Sequence, residues 1–175
     1  MTVQKGIFLI GLAGSGKTTL GKSLAKSLGY KFIDLDHVIV DREGISIPDI
    51  FKRQGEGQFR LFEKEALHEV IAVEDSFVLA TGGGTPCYHF NIDAMNESGT
   101  TVYLDVTPGD LALRILEAGV EKRPMFTSYD HQDLIQEIRD MKTIRDEYYD
   151  QAQIKIRDNR ITVETIISKL NRVNI

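Results

Sequence analysis

The stretch GLAGSGKTT, residues 11–19, follows the apolar run Gly6-Ile-Phe-Leu-Ile10 and opens a helix-like segment that runs to Leu28. Gly11, Gly16, Lys17 and Thr18 meet the spacing GxxxxGK[ST], and the flanking strand and helix supply the context that motif requires. Glycines at 11, 14 and 16 let the backbone turn tightly enough for successive N–H groups to point at phosphate oxygens. The dipole of the following helix favours an anion at the same place. Lys17 is placed to reach the β- and γ-phosphates, and Thr18 to put a hydroxyl on Mg²⁺. The phosphate-holding segment is therefore read as Gly14, Ser15, Gly16, Lys17, Thr18 and Thr19, and its ligand as a nucleoside triphosphate.

Outward from that loop, strand and helix patterns alternate. Leu20, Leu24 and Leu28 share one helical face, and Gly29 is placed to end the helix in a left-handed conformation. A strand over Tyr30–Ile33 ends in Asp34-Leu35-Asp36, at the edge where open α/β sheets place their ligands. Strand alternation puts both carboxylates on one side and Leu35 on the other. Ser46, Pro48 and Asp49 read as a capped helix start, which Gly55 and Gly57 interrupt. A helix over about Gln58–Val73 follows, with Phe59, Phe62, Ala66, Leu67, Val70 and Ile71 on an apolar arc. Arg60 and Glu63 are neighbours on it, a spacing equally suited to a surface ion pair and to a site.

Phe77–Ala80 is a compact apolar strand running into Thr81 and three glycines at 82–84, a mark of backbone in close approach to something. The strand Thr101–Leu104 leads to Asp105, which reads either as the acid of a second NTPase motif or as a turn cap. Thr107 caps a helix over Asp110–Ala118. Residues 119–129 lack periodicity and carry Arg123-Pro124, as expected of a lid. A long helix, Asp130–Tyr148 with Asp130 as its cap, presents Leu134, Ile138, Met141, Arg145 and Tyr148 along one side. Arg145 on that face either snorkels to water or reaches into a site. The strand Gln153–Ile156 and the helix Thr162–Val173 complete the series. Five short apolar strands alternating with helices predict an α/β fold, a three-layer sandwich around a doubly wound parallel sheet. The pattern leaves the strand order open.

Composition narrows the partners. A length of 175 residues suits one domain with its own core. The net charge of −5 argues against nucleic acid or an anionic membrane, so an anionic ligand must be met by local cations. Cys87 is the one cysteine, which excludes an internal disulfide and a cysteine-built zinc site and suits a reducing compartment. His37, His68, His89 and His131 have no metal-ligand spacing. With no leader pattern and no apolar stretch of membrane-spanning length, a cytoplasmic protein is expected.

Taken together, GLAGSGKTT at 11–19, DLD at 34–36, SIPDIFKRQGEGQFRLFE at 46–63, GGG at 82–84, KRP at 122–124 and IRDEYYDQA at 144–152 resemble the shikimate kinases over essentially the whole chain. The resemblance implies a P-loop, nucleoside-monophosphate-kinase-like sandwich with strand order 2-3-1-4-5. It implies ATP-dependent phosphorylation of the 3-hydroxyl of shikimate, a step toward chorismate and the aromatic amino acids. One kinase domain over 1–175 is implied, with core sheet and phosphate loop in 1–36, a shikimate-binding region about 37–73 and a lid about 119–129.

By the same resemblance Asp36 meets the acceptor hydroxyls, and Asp34 lies near Mg²⁺ and acts through water. Arg60 and Arg145 hold the shikimate carboxylate, and the backbone of Gly82 and Gly83 lies against the substrate. Arg123 closes on the ATP phosphates, and Arg114 lies along the adenine. Asp36, Lys17 and Arg123 are thus the expected catalytic residues, and a monomer is expected. Members often carry a proline soon after the Arg145 position, where Asp146-Glu147 stand here, with Tyr148 keeping the aromatic; Asn159–Thr162 aligns only loosely with the adenine-contacting segment.

A kinase for gluconate or another small hydroxy acid would also need Asp and Arg around its acceptor. A GTP-binding switch would need Asn-Lys-x-Asp, which the chain lacks; Asp41–Gly44 matches DxxG by letters only, inside a helical pattern. A silent binding module is disfavoured because Lys17, Asp34, Asp36 and Arg123 are all present.

Overall fold

The computed structural model describes residues 6–118 and 131–173. Its elements run β1 (Gly6–Ile10), α1 (Lys17–Leu28), β2 (Lys31–Asp34), α2 (Leu35–Glu43), α3 (Ile47–Val73) and β3 (Phe77–Ala80). A 3₁₀ turn (Thr85–Cys87) follows, then α4 (Asn91–Ser98), β4 (Thr100–Asp105), α5 (Pro108–Glu117), α6 (His131–Tyr149), β5 (Ile154–Arg157) and α7 (Val163–Val173). The five strands pair in parallel in the order β2-β3-β1-β4-β5.

Alternation along each strand builds two cores. Phe8 and Ile10 of β1, with Phe77, Leu79 and Tyr103, pack under α2 to α6; Ile7 and Leu9, with Val78, Val102 and Leu104, pack under α1 and α7. Both faces of the sheet are covered, which is why its strands read as continuous apolar runs. Because β1 lies between β3 and β4, the chain leaves it at the point where the order reverses, and the loops after β1, β2 and β3 gather at one sheet edge.

Several expected elements shift. β2 ends at Asp34 and α2 begins at Leu35, so Asp36 belongs to the first turn of a helix rather than to a strand. Asp34 is the cap, accepting from the Asp36 N–H. Of the two glycines expected to divide α3, only Gly55 is non-helical (φ 81°, ψ 172°), and Gly57 continues the helix. α5 starts at Pro108, two residues before Asp110, with Thr107 capping as expected. The helix α4 is not expected from the sequence: Ile92 and Met95 are its only buried apolar residues, too short a pattern to read. On α6 the wholly buried aromatic is Tyr149, and Tyr148 is half-buried. Asp130, the expected cap of that helix, and the expected lid with Arg123 lie outside the described residues.

Candidate active site

The phosphate loop opens into a cleft of about 1230 Å³. Its floor is residues 13–20, and its walls include Asp34, Asp36, Thr81, Gly82, Gly83 and Arg114. Gly11, Gly14 and Gly16 take φ values of 140°, 85° and 97°, backbone that L side chains rarely adopt, and this curls the loop. Lys17 is buried and its Nζ donates to the carbonyls of Gly11 (2.7 Å) and Leu12 (2.9 Å), so the ammonium is held inside the loop's curve.

Thr18 Oγ1 donates to Asp34 Oδ2 at 3.0 Å. Two hard oxygens therefore stand together beside the phosphate loop, a donor set that fits Mg²⁺, which takes few protein oxygens and completes its shell with phosphates and water. Among the described residues there is no cluster of three or more His, Cys, Asp or Glu side chains suited to a metal, so any ion bound here would draw most of its ligands from elsewhere.

Asp36 faces the same cleft. Burial, followed by the charges of Asp34 and Glu63, pushes its carboxyl up from 3.8 to about 6, against the pull of Lys17 and His37. A carboxylate with this pKa holds a proton far better than a solvated aspartate while still being ionised near neutrality.

The arginine on α3 is not a surface residue. Arg60 is 8% exposed and Glu63 is fully buried, and they pair at 2.5 Å. Glu56 takes a second side of the guanidinium (2.8 Å), and the Tyr88 ring lies over it at 4.4 Å. Burial works against the Arg60 charge, but Glu63 and Glu56 hold its pKa above the ordinary value. Glu63 also accepts from Thr85 Oγ1 at 2.6 Å, tying α3 to the segment after the glycines.

Two of the three glycines stand where an arginine leaves no room, and Gly82 stands where a Cβ would meet Glu63 Oε1 at 2.7 Å. A Cβ on Gly84 would stand 2.6 Å from Arg60 Nη1, and one on Gly83 would stand 3.0 Å from Arg145 Nη1. Arg145 thus reaches inward from α6. Neither arginine lines the open cleft directly; Arg145 lies against Gly83 of its wall, and Arg60 lies against the next residue, Gly84. Cys87, half-buried, has its thiol pushed up to about 11 by burial, although Arg145 and Arg60 both pull it down.

At the other end of the cleft, Arg114 donates to the Gly14 carbonyl (3.3 Å) and to that of Asn159, bringing the loosely aligned 159–162 segment against the phosphate loop. Asp105 fits neither of its two expected roles. It is a buried ion-pair partner, bound by Arg157 Nε at 2.7 Å and Lys142 Nζ at 3.1 Å, and it joins β4 to β5 and α6. Burial pushes its pKa up, but these hydrogen bonds outweigh it and hold the carboxyl below its ordinary value. The structure also adds Glu63, Tyr88 and Tyr149 to the neighbourhood. For Glu63 and Tyr149 the signal was their spacing, three and four residues after Arg60 and Arg145 on the same helical faces.

The family model for shikimate kinase matches residues 13–173 of the chain. A shikimate kinase of Parabacteroides distasonis is 40% identical over 168 residues, 96% of each chain. The crystal structure of the shikimate kinase from Bacteroides thetaiotaomicron superimposes with a TM-score of 0.88 at 36% identity, covering 97% of both chains. The Acinetobacter baumannii shikimate kinase, solved in complex with shikimate, gives 0.83 at 34% identity, covering 99% of this chain and 93% of that one. A gluconokinase from Sinorhizobium meliloti, with a TM-score of 0.60 at 17% identity and coverage of 99% and 95%, shares the fold alone.

Proposed function

The chain belongs to the shikimate kinase family, and from that premise we propose how its own residues carry the reaction. It is an ATP-using kinase that phosphorylates shikimate, and the acceptor is the 3-hydroxyl. The observation that carries the reading is a carboxyl raised to about 6, Asp36, facing the same cleft as the phosphate loop.

An aspartate cannot strip an alcohol of its proton in the ground state. The transition state of phosphoryl transfer is loose, so the proton leaves late, and Asp36 orients the hydroxyl and accepts the proton as the new P–O bond forms and ADP departs. The shikimate carboxylate is gripped by Arg60 and Arg145, each charge-assisted contact contributing about 1.5–3 kcal/mol, while the Gly82–Gly83 backbone lies along the ring. Two arginines explain how a chain of net charge −5 binds an acid.

Charge on the transferring phosphate is met by Lys17, by the loop amides of Gly14 to Thr19 and by Arg123. Mg²⁺ bound with the nucleotide neutralises phosphate charge; Thr18 would hold it directly and Asp34 through water. Arg114, tied to Gly14, borders the base. Segment 119–129 closes over the phosphates and keeps water from competing as acceptor. All 175 residues act as one kinase domain, with 37–73 as the acceptor-binding region, in a monomeric cytoplasmic enzyme. Consistent with this, no helix among the described residues is long and apolar enough to cross a membrane.

The test is release of ADP from Mg²⁺-ATP with shikimate, gluconate, a nucleoside monophosphate or no acceptor. Strong release is expected with shikimate alone; equal release with gluconate, or none above the acceptor-free rate with shikimate, would overturn the reading.

A further inference from the structure

The glycine loop and the helix that carries Arg145 come from distant parts of the chain, and one side chain joins them. Tyr149 is wholly buried on α6, four residues after Arg145, so the two side chains rise from one face a turn apart. Its hydroxyl donates to the Gly83 carbonyl at 2.5 Å, and the Arg145 guanidinium lies beside that same hydroxyl. Because the peptide unit is planar, holding the Gly83 carbonyl also fixes the direction of the Gly84 N–H. Gly84 in turn packs against the Arg60 guanidinium. Behind Tyr149 its ring rests on Tyr103, with centroids 4.9 Å apart. The Tyr103 hydroxyl is engaged by Lys142, Asp105 and Asp146, so the support is itself held in place.

We propose that Tyr149 is a positioning residue for the acceptor: it fixes Arg145 and the Gly82–Gly84 loop to each other and so sets the spacing between the two arginines that hold the acceptor carboxylate. The inference rests on the reading of Arg60 and Arg145 as that carboxylate clamp. Asp36, Lys17 and Thr18 stand on other elements, so loss of the hydroxyl falls on acceptor binding and not on the chemical step.

Tyr149→Phe keeps the ring and its packing on Tyr103 and removes only the hydroxyl, leaving the Gly83 carbonyl without that donor. The expected result is a rise of about tenfold in KM for shikimate, with kcat and KM for ATP changed by less than about twofold. Combined with Arg145→Ala, its effect on KM for shikimate is expected to be much less than additive, because Tyr149 acts through Arg145. An unchanged KM for shikimate in Arg145→Ala would remove the clamp reading itself. A raised KM in Arg145→Ala with no change in Tyr149→Phe, a parallel rise in KM for ATP, or full additivity would overturn only the role of Tyr149. A Tyr149→Phe protein unfolded at the assay temperature would also overturn it, assigning the hydroxyl to the core.

Discussion

The burial of the Asp36 carboxyl costs stability once the group ionises. Its folded pKa of about 6 lies above its ordinary value of 3.8, so the native state binds the proton more tightly than the unfolded chain does. Stability from such a group is fully present below about pH 4 and is lost as pH rises through about 6. Asp36→Asn, which cannot ionise, is therefore expected to melt a few degrees above the parent at pH 7.5 while losing activity, with the gap closing as pH falls toward 4. Thermal melts across that range check it; a variant that melts below the parent at every pH would contradict the buried-carboxylate account. The residue pair Arg60 and Glu63 marks what spacing leaves undecided. Their i, i+3 placement is the same whether the pair is solvated or buried, and it is the packing of α3 against the segment after β3 that makes it an internal pair.

Elements turn these residues into a site. The glycine run after β3 was legible as close backbone approach, but what approaches it was not, because Arg60 and Arg145 lie 24 and 61 residues from Gly84 in the sequence. Gly84 itself has ordinary backbone angles (φ −90°, ψ −13°), so only space forbids a side chain there. Gly84→Ala is expected to push the Arg60 guanidinium aside and raise KM for shikimate by about ten- to a hundredfold, with KM for ATP unchanged. Steady-state kinetics in both substrates check this, and an unaltered KM for shikimate would place Arg60 outside the acceptor site. The two carboxylates after β2 show the opposite case. Their nearness to the phosphate loop was readable, whereas the strand alternation expected to place them does not hold: Asp34 caps α2 and Asp36 belongs to its first turn, a change of period that a four-residue strand is too short to announce.

For the whole molecule, the alternation of strands and helices gave the layered α/β class, and family resemblance supplied the order 2-3-1-4-5 that the sheet adopts. Placing β1 between β3 and β4 puts the nucleotide loop at the centre of one sheet edge, with the loops after β2 and β3 beside it. The side proposed for the acceptor is acidic and arginine-rich, and the phosphate loop is bordered by Arg114 and the Asn159 segment. Pattern alone did not reveal α4 or the Asp105, Lys142 and Arg157 ion pairs that brace α6. Buried ionic contacts between remote segments leave no periodic trace.

In the proposed mechanism a carboxylate raised by burial takes the acceptor's proton beside the phosphate loop. Its most direct test is kcat/KM for shikimate from about pH 5 to about pH 9 in the parent and in Asp36→Asn. The parent is expected to rise through an apparent pKa of about 6 and then level. The variant should fall by at least about a hundredfold and lose that inflection. A variant that retained both the rate and the inflection would contradict it.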